Sequence, residues 1–180
     1  MKIEKTPING LLVLQPIIHS DDRGYFFESW SNEFFRDINI ELDFIQDNQS
    51  FSNKGVLRGL HFQNPPFEQG KLVRVIKGKV LDVAVDIRKD SSTYGSYYSI
   101  ELSEYNNTIF WIPPGFAHGF LTLEKDTIFN YKCTGLYNKQ SEGSLLWNDK
   151  DLNIDWGIEL PIVSEKDQQA SSFSELVTQF

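Results

Sequence analysis

Between Lys71 and Arg88 the chain reads KLVRVIKGKVLDVAVDIR, and this alternation limits the fold more than any other stretch. Successive side chains of a strand point to opposite faces. Leu81, Val83, Val85 and Ile87 therefore share one face, and Asp82, Ala84, Asp86 and Arg88 share the other. The Lys77-Gly78 step predicts a turn, so the whole stretch reads as a β-hairpin, with Asp82 and Asp86 away from the core. Further strand-like runs cover Leu11–Ile18, Tyr97–Leu102, Thr108–Ile112, Gly119–Leu123, Thr127–Lys132 and Gly143–Trp147. Turn-forming SDDRG, NPP, PPG and NKQSEG separate them. Helical signals are few: Asn32–Arg36 following Ser31, and a final helix announced by Ser172 and Glu175, whose spacing is that of a capping box. Many short strands with few helices define an all-β sandwich or small barrel, and a double-sheet jelly roll is the expected member of that class.

No low-complexity tract, composition break or long linker divides the 180 residues, so a single domain spanning 1–180 is expected. With 40 % hydrophobic residues, the chain has enough apolar surface to offset its ordering entropy. Its formal charge of −8 argues against nucleic acid as a partner, because such binding relies on cationic surface. A few local cations can still hold a diphosphate. Cys133 is the only cysteine, so no intrachain disulfide forms. The N-terminal MKIEKTPING lacks a signal-peptide core, and GLLVLQPII is far shorter than the roughly 20 apolar residues of a membrane helix. A cytoplasmic protein without membrane attachment is expected.

Three segments carry groups capable of chemistry. GVLRGLHFQNPPFEQGK presents Arg58, His61 and Lys71; IPPGFAHGF presents His118; FNYKCTGLY presents Tyr131 and Tyr137. Each has an ordinary structural reading: a hydrogen-bonded core histidine, a turn cap, packed tyrosines, ion-pair partners for the acids. Arg58 and His61 are three apart, and a regular strand sends such residues to opposite faces. Gly59 between them is a site for a bulge that turns both inward. A metal-binding cupin jelly roll supplies a His-x-His pair, but the residue two after His61 is Gln63. Too few ligands remain for a divalent ion, and no metal site is expected.

The segments DDRGYFFESW, QDNQSFSNKGVLRGLHFQNPP, QGKLVRVIKGKVLDVAVDIRKDS, WIPPGFAHGF, LLWNDKDLNIDW and VSEKD resemble those of the dTDP-4-dehydrorhamnose 3,5-epimerases. They occur in the family's order from about Asp21 to Asp167. The resemblance implies a cupin-type jelly roll, a homodimer, no metal or organic cofactor, and dTDP-4-dehydro-6-deoxyglucose as substrate. It implies that His61 is the general base and Tyr131 the acid opposite it. Lys71 and Arg58 would meet the substrate and its developing enolate, and Asp167 would orient the base. Asp82 and Asp86 compete for that last role. Arg23, Glu28, Gln46, Asn48, His118, Tyr137, Glu142 and Lys166 match positions that hold the nucleotide sugar, with the Arg23–Glu28 segment expected to reach a partner's site.

The implied chemistry is physically coherent. A C4 ketone acidifies the protons at C3 and C5, and inversion needs a base on one face and an acid on the other. An imidazole, with an unperturbed pKa of about 6.5, suits the first task and a phenol, at about 10, the second. A fixed donor at the enolate oxygen is typically worth about 3–4 kcal/mol. Arg23 and Lys166 are the cations expected at the diphosphate. Three rivals remain: an enzyme inverting only one centre, or a ketoisomerase; a non-catalytic sugar-nucleotide-binding cupin, in which His61 and Tyr131 need not share a cavity; and a metal-dependent cupin oxygenase.

Overall fold

The computed structural model describes residues 1–180 and consists mainly of two facing sheets. The first runs in the order β1 (Lys2–Lys5), β2 (Leu12–Gln15), β10 (Ile109–Ile112), β7 (Lys71–Lys77), β12 (Thr127–Cys133), β5 (Gln46–Ser52). The second runs β13 (Glu142–Ser144), β6 (Val56–Gln63), β11 (Phe116–Thr122), β8 (Lys79–Asp86), β9 (Tyr97–Ser103), with β14 (Ile162–Val163) parallel to the start of β6. A separate exposed hairpin is formed by β3 (His19–Asp21) and β4 (Gly24–Phe26). This is the double-sheet jelly roll the strand pattern predicts.

The sandwich is covered outside as well as inside. Val13, Val73, Val75, Phe110 and Phe129 of the first sheet meet Val80, Ala84, Leu102, Phe116 and Phe120 of the second. Behind the second sheet, Leu57, Leu60, Val83, Val85 and Leu121 pack on Leu145, Leu152 and Trp156 from the C-terminal third. Behind the first, Leu14, Leu72 and Trp111 pack on Phe35. Phe35 belongs to helix α1 (Asn32–Asp37), capped by Ser31 where the sequence predicts.

Two expectations are corrected by this arrangement. Strands β7 and β8 do not form a hairpin: β7 bonds to β10 and β12, whereas β8 bonds to β11 and β9. Gly78 is instead a corner where the chain leaves one sheet for the other. Its φ is +82°, and a Cβ there would lie 2.3 Å from Oγ1 of Thr127. Nor do Asp82 and Asp86 lie away from the interior, since both are fully buried. The Val83–Val85–Ile87 face packs on the C-terminal segment, which turns Asp82 and Ala84 into the space between the sheets.

Asp86 is buried without being isolated. It accepts hydrogen bonds from the Arg88 guanidinium, the Arg88 backbone N–H and the hydroxyls of Ser91 and Thr93. Burial alone would raise its pKa, but these donors outweigh burial and lower it to about 2. A depressed carboxyl contributes stability that is fully present above the unfolded value of 3.8 and lost as pH falls toward 2. That contribution is roughly 2 kcal/mol. Asp86→Asn is expected to lower unfolding stability by about that amount at pH 7, with the difference from wild type shrinking between pH 4 and 2; urea titrations across this range measure it.

The C-terminal helix is shorter than expected. The Glu175 carboxylate does accept from the Ser172 N–H and hydroxyl, but it closes only a single 3-10 turn, Phe173–Glu175. A second short helix, α2 (Glu165–Gln168), starts at Ser164 and carries Lys166 and Asp167. No helix is long and apolar enough to cross a membrane.

Candidate active site

Strand β6 brings Arg58 and His61 onto one face by the bulge that Gly59 permits. Arg58 pairs with Phe120 and His61 with His118, so three steps on β6 oppose two on β11. The extra residue restores a shared direction to two side chains an odd number apart. Gly59 has a φ of +124°, and a Cβ would lie 2.5 Å from the Gly119 Cα, so no other residue fits this close approach. Leu57 and Leu60 consequently share the outer face and pack together.

The inward groups surround a cavity of about 430 Å³ between the sheets. Arg58, His61 and His118 enter from the second sheet; Ser50, Lys71 and Tyr131 enter from the first; Lys166 and Asp167 close one end. His61 and Tyr131 thus stand on opposite walls. A neighbouring compartment of about 360 Å³ shares His61, Lys71 and Tyr131 and adds Gln46, Asn48, Gln63, Tyr137 and Glu142. The two form one elongated cleft.

Of the three candidate carboxylates, Asp167 is the partner of His61: Nε2 lies 2.6 Å from Oδ1. The other oxygen accepts the Gly59 N–H at 3.3 Å, and the Asp167 N–H donates to Oγ of Ser164, which caps α2. Burial tends to raise the Asp167 pKa, but the hydrogen bond and charge of His61 prevail and hold it below the ordinary carboxylate value. An ionised carboxylate only accepts, so Nε2 carries the proton and Nδ1 is the basic nitrogen. Asp82 serves His118, whose Nε2 lies 3.0 and 2.9 Å from its two oxygens. Burial lowers the His118 pKa, partly opposed by Asp82, which favours a neutral ring. Asp86 is committed to Arg88, Ser91 and Thr93, as described above.

Two cations in the cleft lack acidic partners. Neither Lys71 nor Arg58 is in any salt bridge. Lys71 Nζ donates to the His61 carbonyl at 3.3 Å; Arg58 donates to Oγ of Ser52 and the carbonyl of Phe51. Burial pushes the Lys71 pKa down, with Cys133, Asp82 and Glu142 opposing. Burial raises that of Tyr131, so its phenol stays protonated at neutral pH. Lys166 instead pairs with Glu142 at 2.6 Å, and Glu142 also accepts from the Tyr137 hydroxyl at 3.0 Å.

Most of the candidate residues therefore meet in one cleft. Arg23 and Glu28 do not: both are exposed and absent from its lining, and Arg23 pairs with Asp21 on the β3–β4 hairpin. The sequence reading missed Ser164, although S-x-x-D is a helix-start signal. It also missed Ser50, which shares the inward face of β5 with Gln46 and Asn48. No group of three or more His, Cys, Asp or Glu side chains is arranged to hold a metal ion.

A cupin-like jelly roll with a histidine–aspartate pair facing a tyrosine across an inter-sheet cleft is the class that fold and site define. The family model described as dTDP-4-dehydrorhamnose 3,5-epimerase matches residues 5–175, and the chain belongs to that family. A dTDP-4-dehydrorhamnose 3,5-epimerase of Salmonella typhimurium is 49 % identical over 172 residues, 94 % of each chain. A crystal structure of dTDP-6-deoxy-D-glucose-3,5-epimerase from Legionella pneumophila, in complex with dTDP-4-keto-L-rhamnose, superposes with a TM-score of 0.93 at 45 % identity, covering 97 % of this chain and 94 % of that one. A 3′-monoepimerase from Streptomyces bikiniensis in complex with dTDP-quinovose superposes at 0.89 with 32 % identity, covering 94 % of this chain and 86 % of its own.

Proposed function

We propose that this protein is an isomerase that epimerises dTDP-4-dehydro-6-deoxy-D-glucose at C3 and C5, giving dTDP-4-dehydro-L-rhamnose. The observation that carries the reading is the opposition of His61–Asp167 and Tyr131 across a sugar-sized cavity, with Lys71 unpaired beside them. Nδ1 of His61 removes the proton next to the ketone, and Asp167 stabilises the imidazolium that forms. Lys71, with Arg58, donates to the enolate oxygen. Such a donor contributes about 3–4 kcal/mol to the transition state. Tyr131 then protonates the carbanion from the opposite face, which inverts the centre. His118 contacts the sugar within the first compartment. Gln46, Asn48 and Glu142 hold the diphosphate and nucleoside in the second, with Lys166 reaching Glu142 from the end of the first, and the exposed Tyr137 ring offers a stacking face for the base.

The protein acts in the cytoplasm as one 180-residue domain in a homodimer. The exposed β3–β4 hairpin supports the dimer: Tyr25 is 60 % and Phe26 71 % exposed, and Arg23 has no place in its own cleft. In the dimer Arg23 and Glu28 reach the partner's nucleotide.

Inversion of a single centre is the competing reading, because the S. bikiniensis 3′-monoepimerase has the same fold. Proton NMR of the substrate incubated with the protein in D₂O separates the two. Deuterium at both C3 and C5, with a coupled reductase yielding the L-rhamno product, is expected. Exchange at one carbon only would establish single-centre inversion, and no exchange at either would remove the roles given to His61 and Tyr131.

A further inference from the structure

Gln63 occupies the position two after His61, facing inward, where a metal-binding cupin would supply its second histidine. Its amide is turned instead to the segment that carries Tyr137. Nε2 donates to the carbonyls of Phe67 at 2.6 Å and Leu136 at 3.1 Å, and Oε1 accepts the Asn138 N–H at 2.6 Å. Between these two points, the Tyr137 N–H donates to Oε1 of Gln46 at 3.0 Å. Three successive backbone groups are thus held by two glutamines, one from each sheet. Beyond the Tyr137 hydroxyl donating to Glu142 at 3.0 Å, the segment has little other anchorage, with Leu136 59 % and Tyr137 55 % exposed, whereas Gln63 is only 5 % exposed.

We propose that Gln63, acting with Gln46, is a positioning residue that fixes Tyr137 at the nucleotide end of the cleft. This rests on the function proposed above, in which Tyr137 meets the nucleoside. The chemistry requires an amide of this length. Glutamate lacks the two donors, lysine lacks the acceptor, and asparagine is one methylene too short to span from β6 to the Leu136–Asn138 backbone. Without the clamp the segment must be ordered by the ligand itself, and that ordering is subtracted from affinity.

The test compares wild type, Gln63→Met, Tyr137→Ala and the double variant by calorimetric titration with dTDP and by steady-state epimerisation. Gln63→Met is expected to raise the Kd for dTDP and the KM by about tenfold or more, with kcat within about twofold of wild type. In the Tyr137→Ala background the same change is expected to add nothing, because its effect passes through Tyr137. Should Gln63→Met fail to fold, Gln63→Glu carries the test, since it keeps the acceptor for Asn138 and loses both donors. A loss confined to kcat, no change in Kd, or full additivity with Tyr137→Ala would overturn the proposal while leaving the epimerase reading intact. A wild-type protein that neither binds dTDP nor exchanges substrate protons would overturn both.

Discussion

His61→Ala is expected to remove solvent exchange at C3 and C5 together and to lower epimerisation by about 10²–10⁴-fold. Both steps begin with proton abstraction, and His61 is the cleft group whose basic nitrogen is set up for it. Asp167 engages Nε2 at 2.6 Å, and a depressed carboxyl pKa keeps that acceptor ionised well into the acid range. Asp167→Asn retains the shape but offers no charge to the forming imidazolium, so a loss in the same direction, smaller than that of His61→Ala, is expected. The remaining imidazole in the cavity, His118, is the obvious substitute base. It differs in being 6 % exposed, with Nε2 held by both oxygens of Asp82. Deuterium incorporation that survives in His61→Ala and disappears in His118→Ala would transfer the catalytic role to the buried ring.

Much of this site was legible in the sequence because local rules governed it. The strand-like run Thr127–Lys132 marked the strand from which Tyr131 projects, in the same sheet as β5, whereas Gln46 and Asn48 followed only from the family resemblance. Gly59 marked the bulge that reconciles Arg58 with His61. What escaped was decided by partners far away in the chain. The Lys77-Gly78 step has the local signature of a hairpin, yet β7 finds its hydrogen bonds with β10 and β12, more than thirty residues downstream. Asp82 looked solvent-facing because alternation distinguishes two faces without saying which meets the core. Here the apolar face is covered by Leu145, Leu152 and Trp156, and the acidic one looks into the sandwich, where His118 and Arg88 make burial of the two carboxylates tolerable. Asp167, which the resemblance put forward ahead of Asp82 and Asp86, reaches His61 only because α2 docks beside β6, which no spacing in VSEKD reveals.

Tyr131→Phe is expected to separate exchange from inversion, which no change to the base can do. The phenylalanine keeps the ring that packs near Phe129 and removes only the hydroxyl, so the fold and the approach of the sugar are preserved. His61 can still withdraw a proton, exchange it with solvent and return deuterium to the face it came from. The far face then loses its proton donor: burial holds the wild-type Tyr131 phenol in its protonated form, and the one cation beside it on the first sheet, Lys71, is assigned to the enolate oxygen. Substrate recovered from D₂O should therefore carry deuterium with retained configuration, while formation of the epimerised product falls by about 10²–10⁴-fold. If product forms at the wild-type rate, the far-face donor is another group, with Lys71 next in line. If exchange and inversion fall in parallel, the phenol acts earlier, on the enolate oxygen as it gains charge rather than on the carbanion. Each outcome assigns the hydroxyl a different atom of the same substrate, and one NMR time course distinguishes them.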